Sequence, residues 1–286
     1  MILVLIYFLV LWEYFMSANL TQLLSIMQQL RTPETGCPWD LKQTFDSVVP
    51  HTIEEAYEVA DAIANKDFDD LKGELGDLLF QVVFYAQMAK EQELFEFDDI
   101  LAVLNEKLIR RHPHVFSTSE IKTDAEINAN WEAEKEKERQ KKAQSQNKQE
   151  SVLDNIPLAL PALTRAYKIQ KRAASVGFDW AELEPVVAKI HEELDEVLVE
   201  VKRTDLNDAQ QKERIVDELG DLLFANVNLI RHLKANPEQV LTQANSKFST
   251  RFKRVEAHVR ALGKEMGDCT LNELDAIWNE IKHLPQ

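Results

Sequence analysis

Apolar residues recur three and four positions apart along most of the chain. Leu20, Leu23, Leu24, Met27 and Leu30 form one such stripe. The same spacing predicts helices from Ile53 to Ala64, from Leu71 to Lys90 and from Asp98 to Arg111, where His112 and Pro113 stop the last. The pattern restarts at Leu153, with Pro157 and Pro161 punctuating an entry segment before a helix from Ala162 to Ser175. A glutamate-rich helix follows with Ile190, Leu194, Val197, Leu198 and Val201 on one stripe. Then come a polar connector from Lys202 to Glu213 and a helix carrying Leu219, Leu222, Phe224 and Val227. No alternation of apolar and polar residues lasts long enough to build a sheet, so the predicted fold is all-α. Asn130 to Glu150 is almost wholly Glu, Lys, Gln and Arg. It cannot bury an apolar face and reads as a solvated helix or a flexible linker. The predicted organisation is therefore a helical bundle over 16–130, a charged linker over 131–151 and a second bundle over 152–286.

Laid over this frame, one acidic phrase occurs twice. Glu54-Glu55-x-x-Glu58 precedes ELGDLLF at 74–80, and Glu192-Glu193-x-x-Glu196 precedes ELGDLLF at 218–224. Residues three or four apart share a helix face, so Glu55/Glu58, Glu74/Asp77, Glu193/Glu196 and Glu218/Asp221 are four carboxylate pairs. Four like charges beside a packed apolar seam repel one another unless a cation lies among them. Hard oxygen donors select magnesium, with manganese as a substitute. Redox iron does not fit, because Glu-x-x-His occurs only at Glu280 and His283, away from either quartet. A solvated acidic face is the plain alternative for one such motif and explains the matched pair poorly.

The formal net charge of −16 argues against a nucleic-acid binder. Two cysteines, Cys37 and Cys269, make no disulfide framework and fit a reducing, cytoplasmic setting. Met1 to Trp12 is wholly apolar but ends at Glu13, short of the ~20 residues that span a bilayer. It also lacks the basic region and cleavage site of a secretory signal. Translation is expected to start at Met16, with 1–15 a non-native extension and no stable membrane insertion. A short membrane or partner-docking tag is the other reading.

The two copies differ in their cations. Lys189 stands four residues before Glu193 and Arg214 four before Glu218, where each can reach phosphate oxygens; His51 and Asp70 hold the equivalent places in the first copy. Either cation could instead serve only in intrahelical ion pairs. Asn245, Lys247 and Arg251 line up with Asn105, Lys107 and Arg111. Trp278 offers a flat face for a base, or equally for packing. The second half is therefore expected to carry the activity, and the first to be mainly structural or weakly active.

GCPWD at 36–40, Gln43-Thr44, EEAYEVADAI from Glu54 and ELGDLLFQVVFYA from Glu74 resemble the MazG family of all-α nucleoside triphosphate pyrophosphohydrolases. The likeness runs from Met16 to the end, tandem arrangement included. Phe45 departs from it, since the family usually has His there. The resemblance implies magnesium-dependent hydrolysis of nucleoside triphosphates, ATP among them, to monophosphate and pyrophosphate, with broad base tolerance, in a homodimer. On that chemistry Glu193, Glu196, Glu218 and Asp221 would hold the metal, with Glu55, Glu58, Glu74 and Asp77 a second set in the half expected to be structural or weakly active. Glu192, about 100° around the helix from Glu193, would orient or deprotonate the attacking water. Exposed apolar faces on bundles this small favour pairing with a second copy, or of the two halves with each other. A non-catalytic acidic interaction protein and an enzyme narrow for one damaged nucleotide are the competing functions.

Overall fold

The computed structural model describes residues 18–117, 123–146 and 151–283, with side chains left out from 139 to 146. The predicted translation start and N-terminal extension lie outside these residues. Every regular element among those described is helical, and no described helix is long and apolar enough to cross a membrane. The chain divides into two compact units between Lys141 and Lys142.

The first unit holds α1 (18–30), a 3-10 turn (Asp40–Lys42), α2 (Phe45–Asn65), α3 (Phe68–Glu91), α4 (Phe97–Arg111), the single turn α5 (Pro113–Phe116) and α6 (Asp124–Gln146). Helix α2 begins at Phe45 rather than at Ile53. Thr44 closes a capping box there: its hydroxyl accepts from the Ser47 N–H (3.2 Å) while Ser47 Oγ accepts from the Thr44 N–H (2.9 Å). That cap carries Pro50 inside the helix. Lys66, left-handed at φ 59°, ends α2, and the Asp67 carboxylate caps α3 by accepting from Asp70 N–H (3.1 Å). So short a turn forces α2 and α3 antiparallel, around a core of Met27, Val48, Val83, Phe84 and Met88.

The GCPWD loop is a structural clasp on this core. A Cβ at Gly36 would fall 2.3 Å from the Leu30 carbonyl oxygen, so no other residue fits there. Arg31 donates to the Asp40 carbonyl (2.6 Å) and to Glu91 (2.6 Å), and lies over the Phe84 ring. The charged segment from 131, expected to be solvated or loose, is the continuation of α6. It is bound to α4: Arg110 pairs with Glu134 (2.9 Å) and Glu138 (2.7 Å), Arg111 pairs with Glu138 (2.7 Å), and Trp131 Nε1 donates to the Arg111 carbonyl (3.0 Å). Arg111 is thereby committed to α6.

The second unit holds α7 (Ala162–Ala174), α8 (Leu183–Lys202), α9 (Asp208–His232), α10 (Pro237–Ala261), a 3-10 turn (Met266–Asp268) and α11 (Leu271–Lys282). The predicted polar connector between α8 and α9 is only half a connector. Asn207 caps α9 by accepting from Gln210 N–H (2.9 Å), and Gln211 Nε2 donates back to the carbonyls of Glu200 (3.1 Å) and Arg203 (2.8 Å). Those bonds satisfy the open end of α8 and lock the hairpin. Val255, Val259, Ile277 and Ile281 form the core between α10 and α11.

The seam expected beside the second acidic quartet is only partly buried in the single chain: Val197 and Val227 are covered, and Ile190 and Leu222 are half-buried. Val186, Glu193, Val197 and Glu200 are the covered positions of α8, whereas Leu194, Leu198, Val201, Leu219 and Phe224 stay exposed. Helix α8 covers Val186 and Val197 and leaves Leu183, Leu194 and Leu198 open.

Candidate metal and nucleotide site

In the second unit the antiparallel pairing of α8 and α9 brings Glu193, Glu218 and Asp221 together. Carboxylate oxygens of all three lie within 4.8 Å of one another. Glu193 is the buried member, at 6% exposure, and Glu196 stands one turn further along α8. Desolvation, and then the negative charges of Glu193 and Glu218, push the Glu196 carboxyl above its ordinary range. Lys189 supplies the nearest positive charge: its Nζ lies 2.8 Å from Glu193 and 3.0 Å from Glu192. These hydrogen bonds hold the ammonium well above the usual lysine range, so it stays charged. Glu192 is exposed and tied to Lys189, outside the triad.

The first unit repeats the acids without the cation. Glu55, Glu58 and Glu74 converge within the same 4.8 Å, with Asp77 beside them. His51 turns to Glu54 (3.6 Å) instead, and Gln81 Nε2 donates to Glu55 (3.3 Å). Burial, and then like charge from Asp77 and Glu58, raises the Glu55 pKa; burial and Glu58 raise that of Glu74. A hard cation fits both triads on donor chemistry, since each offers only carboxylate oxygens at bridging separation.

A cavity of about 750 Å³ opens beside the second triad, within the range of small-ligand sites. Lys189, Glu193 and Asp221 stand at one side of it. Gln170 from α7, the loop residues Phe178, Asp179 and Trp180, and Phe224, Asn228 and Arg231 from α9 form the rest of its polar and aromatic wall. Asp179 anchors the loop that carries the aromatics. Arg231 grips it through Nη2 (2.5 Å) and Nη1 (3.0 Å), and His232 Nε2 lies 3.1 Å away. The hydrogen bond from Arg231 holds the Asp179 carboxyl below its usual range.

The remaining predicted residues lie elsewhere. Arg214 lines a second, more open cavity of about 820 Å³ with Glu213, Asp217 and Asp221, so it borders the triad from another side of α9. Asn245 and Lys247 are exposed on α10 and Arg251 is half-buried there, none of them in the cavity wall. Trp278 packs against Phe248 at 5.1 Å beside the α10–α11 core. Conversely, Gln170, Phe178, Asp179, Trp180, Asn228 and Arg231 were not read as site residues. Asn228 and Arg231 follow Asp221 by seven and ten positions, one continuous helix face, so periodicity could have found them. The Gly177 to Trp180 loop is similar to GCPWD in sequence, and that likeness assigns it no chemistry. Nothing in the sequence marks Gln170.

Two all-helical units, each built on an acidic helical hairpin whose carboxylates converge, define a class: tandem all-α proteins with oxygen-donor sites able to hold a metal ion. The MazG nucleotide pyrophosphohydrolase domain matches residues 43–116 and 182–256. These stretches contain α2 to α5 and α8 to most of α10, so the repeat in sequence is a repeat of domains. A nucleoside triphosphate pyrophosphohydrolase of Escherichia coli (strain K12) is 54% identical over 264 residues, 92% of this chain and 97% of that protein. A Thermotoga maritima protein, a nucleoside triphosphate pyrophosphohydrolase/pyrophosphatase MazG, is 43% identical over 91% of this chain and 94% of its own length. The chain belongs to the MazG family.

Proposed function

We propose that this chain hydrolyses nucleoside triphosphates to the monophosphate and pyrophosphate with broad base tolerance, at the triad of its C-terminal unit. The observation that carries the reading is the convergence of Glu193, Glu218 and Asp221 at the edge of the 750 Å³ cavity, with Lys189 at hand. Glu196 completes the proposed ligand set for magnesium, or manganese in its place. Bound there, the ion would offset triphosphate charge and make an attacking water more acidic. The chain's own residues do the rest. Glu193 and Glu218 fix the metal position from two helices. Lys189 is free to exchange a carboxylate for a phosphate oxygen without losing its charge. Glu192, held 3.0 Å from Lys189, orients or deprotonates the water. Arg214, Asn245, Lys247, Arg251 and Trp278 remain proposed contacts to the nucleotide from outside the cavity wall.

Release of pyrophosphate and monophosphate from ATP in the presence of magnesium, lost with excess chelator and restored by added magnesium or manganese, is the expected result of a chromatographic assay. A protein inactive on a panel of standard and modified triphosphates would return the non-catalytic interaction reading, and activity on one modified nucleotide alone would favour the narrow enzyme.

The open leucine stripe of α8 and the exposed Leu219, Leu223 and Phe224 of α9 support a homodimer, because a second copy would cover them. Sedimentation at micromolar concentration is expected to give twice the chain mass, and a persistent monomer refutes the pairing. Both cysteines are free, which supports a cytoplasmic setting that cell fractionation would check.

A further inference from the structure

In each repeat the matching glutamate of the triad is met by a donor from outside the triad, and the donor differs between the copies. In the first unit Gln81 Nε2, from α3, donates to Glu55 (3.3 Å), while His51 turns to Glu54. In the second, Ala225 fills the place of Gln81 and Lys189 that of His51, and the Lys189 Nζ lies 2.8 Å from Glu193. A neutral amide makes in one copy the contact that an ammonium makes in the other. A neutral donor is therefore enough to satisfy this carboxylate, and the charge of Lys189 calls for a separate reason.

That charge opposes any other cation. Glu193 is 6% exposed, so water and salt screen little around it. A divalent ion held by Glu193, Glu218 and Asp221 shares the Glu193 carboxylate with the ammonium, and the two positive charges repel across it. A triphosphate reverses the sign. Lys189, Glu193 and Asp221 stand at one side of the same cavity, so phosphate oxygens placed there meet the ammonium and the metal ligands together. With anionic oxygens between them the two cations support one another.

We infer that Lys189 makes metal uptake by the second triad conditional on the nucleotide: it weakens the binding of a divalent ion alone and strengthens the binding of ion and triphosphate together. The inference rests on the hydrolytic reading and adds a coupling to it. Such coupling is reciprocal, so the ion raises the affinity for triphosphate by the factor that triphosphate raises the affinity for the ion. The hydrolytic centre is then complete only when substrate is present. The first triad, whose Glu55 meets an amide, has no such device.

The test uses the full chain carrying Glu55→Gln, which disables the first triad, with and without Lys189→Gln, which removes the charge and keeps an N–H donor. Calorimetry reads two affinities: that for magnesium chloride alone, and that for the magnesium complex of α,β-methylene-ATP, which cannot be cleaved between its first two phosphates. Lys189→Gln is expected to bind magnesium alone about tenfold more tightly and the complex about tenfold more weakly. The opposite signs are the signature, because damage to the fold weakens both. The Lys189 side chain is 36% exposed, so replacing it removes no core contact. Lys189→Arg keeps the charge and should stay within about threefold of the parent chain for magnesium alone. Failure of either affinity to move in its stated direction in Lys189→Gln overturns the coupling and leaves the hydrolytic reading standing. A parent chain that takes up neither magnesium nor the complex refutes that reading, and the coupling with it.

Discussion

Glu193→Gln should lower pyrophosphate release by about a thousandfold, equivalent to ~4 kcal/mol of barrier, while Glu55→Gln should leave it within about threefold of wild type. The two substitutions remove the same group from matching places in the two repeats. Each takes one oxygen donor from a triad whose members lie within 4.8 Å. The difference arises around them. Lys189 serves Glu193, and the 750 Å³ cavity opens beside it; Glu55 has the Gln81 amide, and the first unit's Arg111 is occupied by Glu138. Steady-state rates with ATP and magnesium decide the matter. Inactivation by Glu55→Gln with survival of Glu193→Gln would reverse the assignment of the active half. Calorimetric titration of each variant with magnesium separates loss of metal from loss of chemistry.

The second large effect is expected from Arg231→Met. The guanidinium joins the Asp179 loop to α9 and orients Asn228, and its side chain is 11% exposed. Without it Asp179 keeps only His232, and the loop bearing Phe178 and Trp180 loosens. We expect a loss of about 2 kcal/mol of unfolding stability near pH 7 and a roughly tenfold rise in KM with a smaller change in kcat. The pH dependence has a definite sign. The pair lowers the folded-state pKa of Asp179, so its stabilisation is complete above the unfolded value of about 3.9. It disappears as pH falls through the lowered folded value. Urea unfolding of wild type and variant should therefore differ most near neutral pH and converge in strong acid. A gap that stays constant down to about pH 2 would show that the ion pair is not its source.

The helical hairpins and the carboxylate pairs were legible because both follow from the 3.6-residue repeat, which one strand of sequence displays by itself. Periodicity put Glu193 with Glu196 and Glu218 with Asp221. It could not say which oxygens meet between helices, because that depends on the rotation of α8 against α9. The observed rotation draws in Glu193, Glu218 and Asp221 and sets Glu196 slightly apart; in the other hairpin it draws in Glu55, Glu58 and Glu74 and sets Asp77 apart. Boundaries fared worse where capping side chains decided them. Thr44 and Ser47 carry α2 past a proline that ordinarily ends a helix, and Asn207 with Gln211 shortens the connector to α9. The Glu and Lys run from 131 looked unable to pack because it lacks an apolar stripe. It packs by charge, on Arg110 and Arg111, and through the one aromatic at its start, Trp131.

Read alone, the order of residues established an all-helical tandem repeat, an acidic phrase at the same place in each copy, and cations favouring the second. Each of these is a local or repeated pattern, and short-range helix geometry is enough to interpret it. Packing settled what depends on contacts between distant segments: that Gln170, Asn228 and Arg231 share a cavity wall with Glu193, that Lys189 rests on that carboxylate, and that the leucine stripe of α8 stays uncovered in a single chain. A glutamine inside a helix reads the same whether its oxygen meets solvent or a closed wall, and only the approach of α7 to α9 buried the Gln170 oxygen and gave its amide the Phe224 carbonyl.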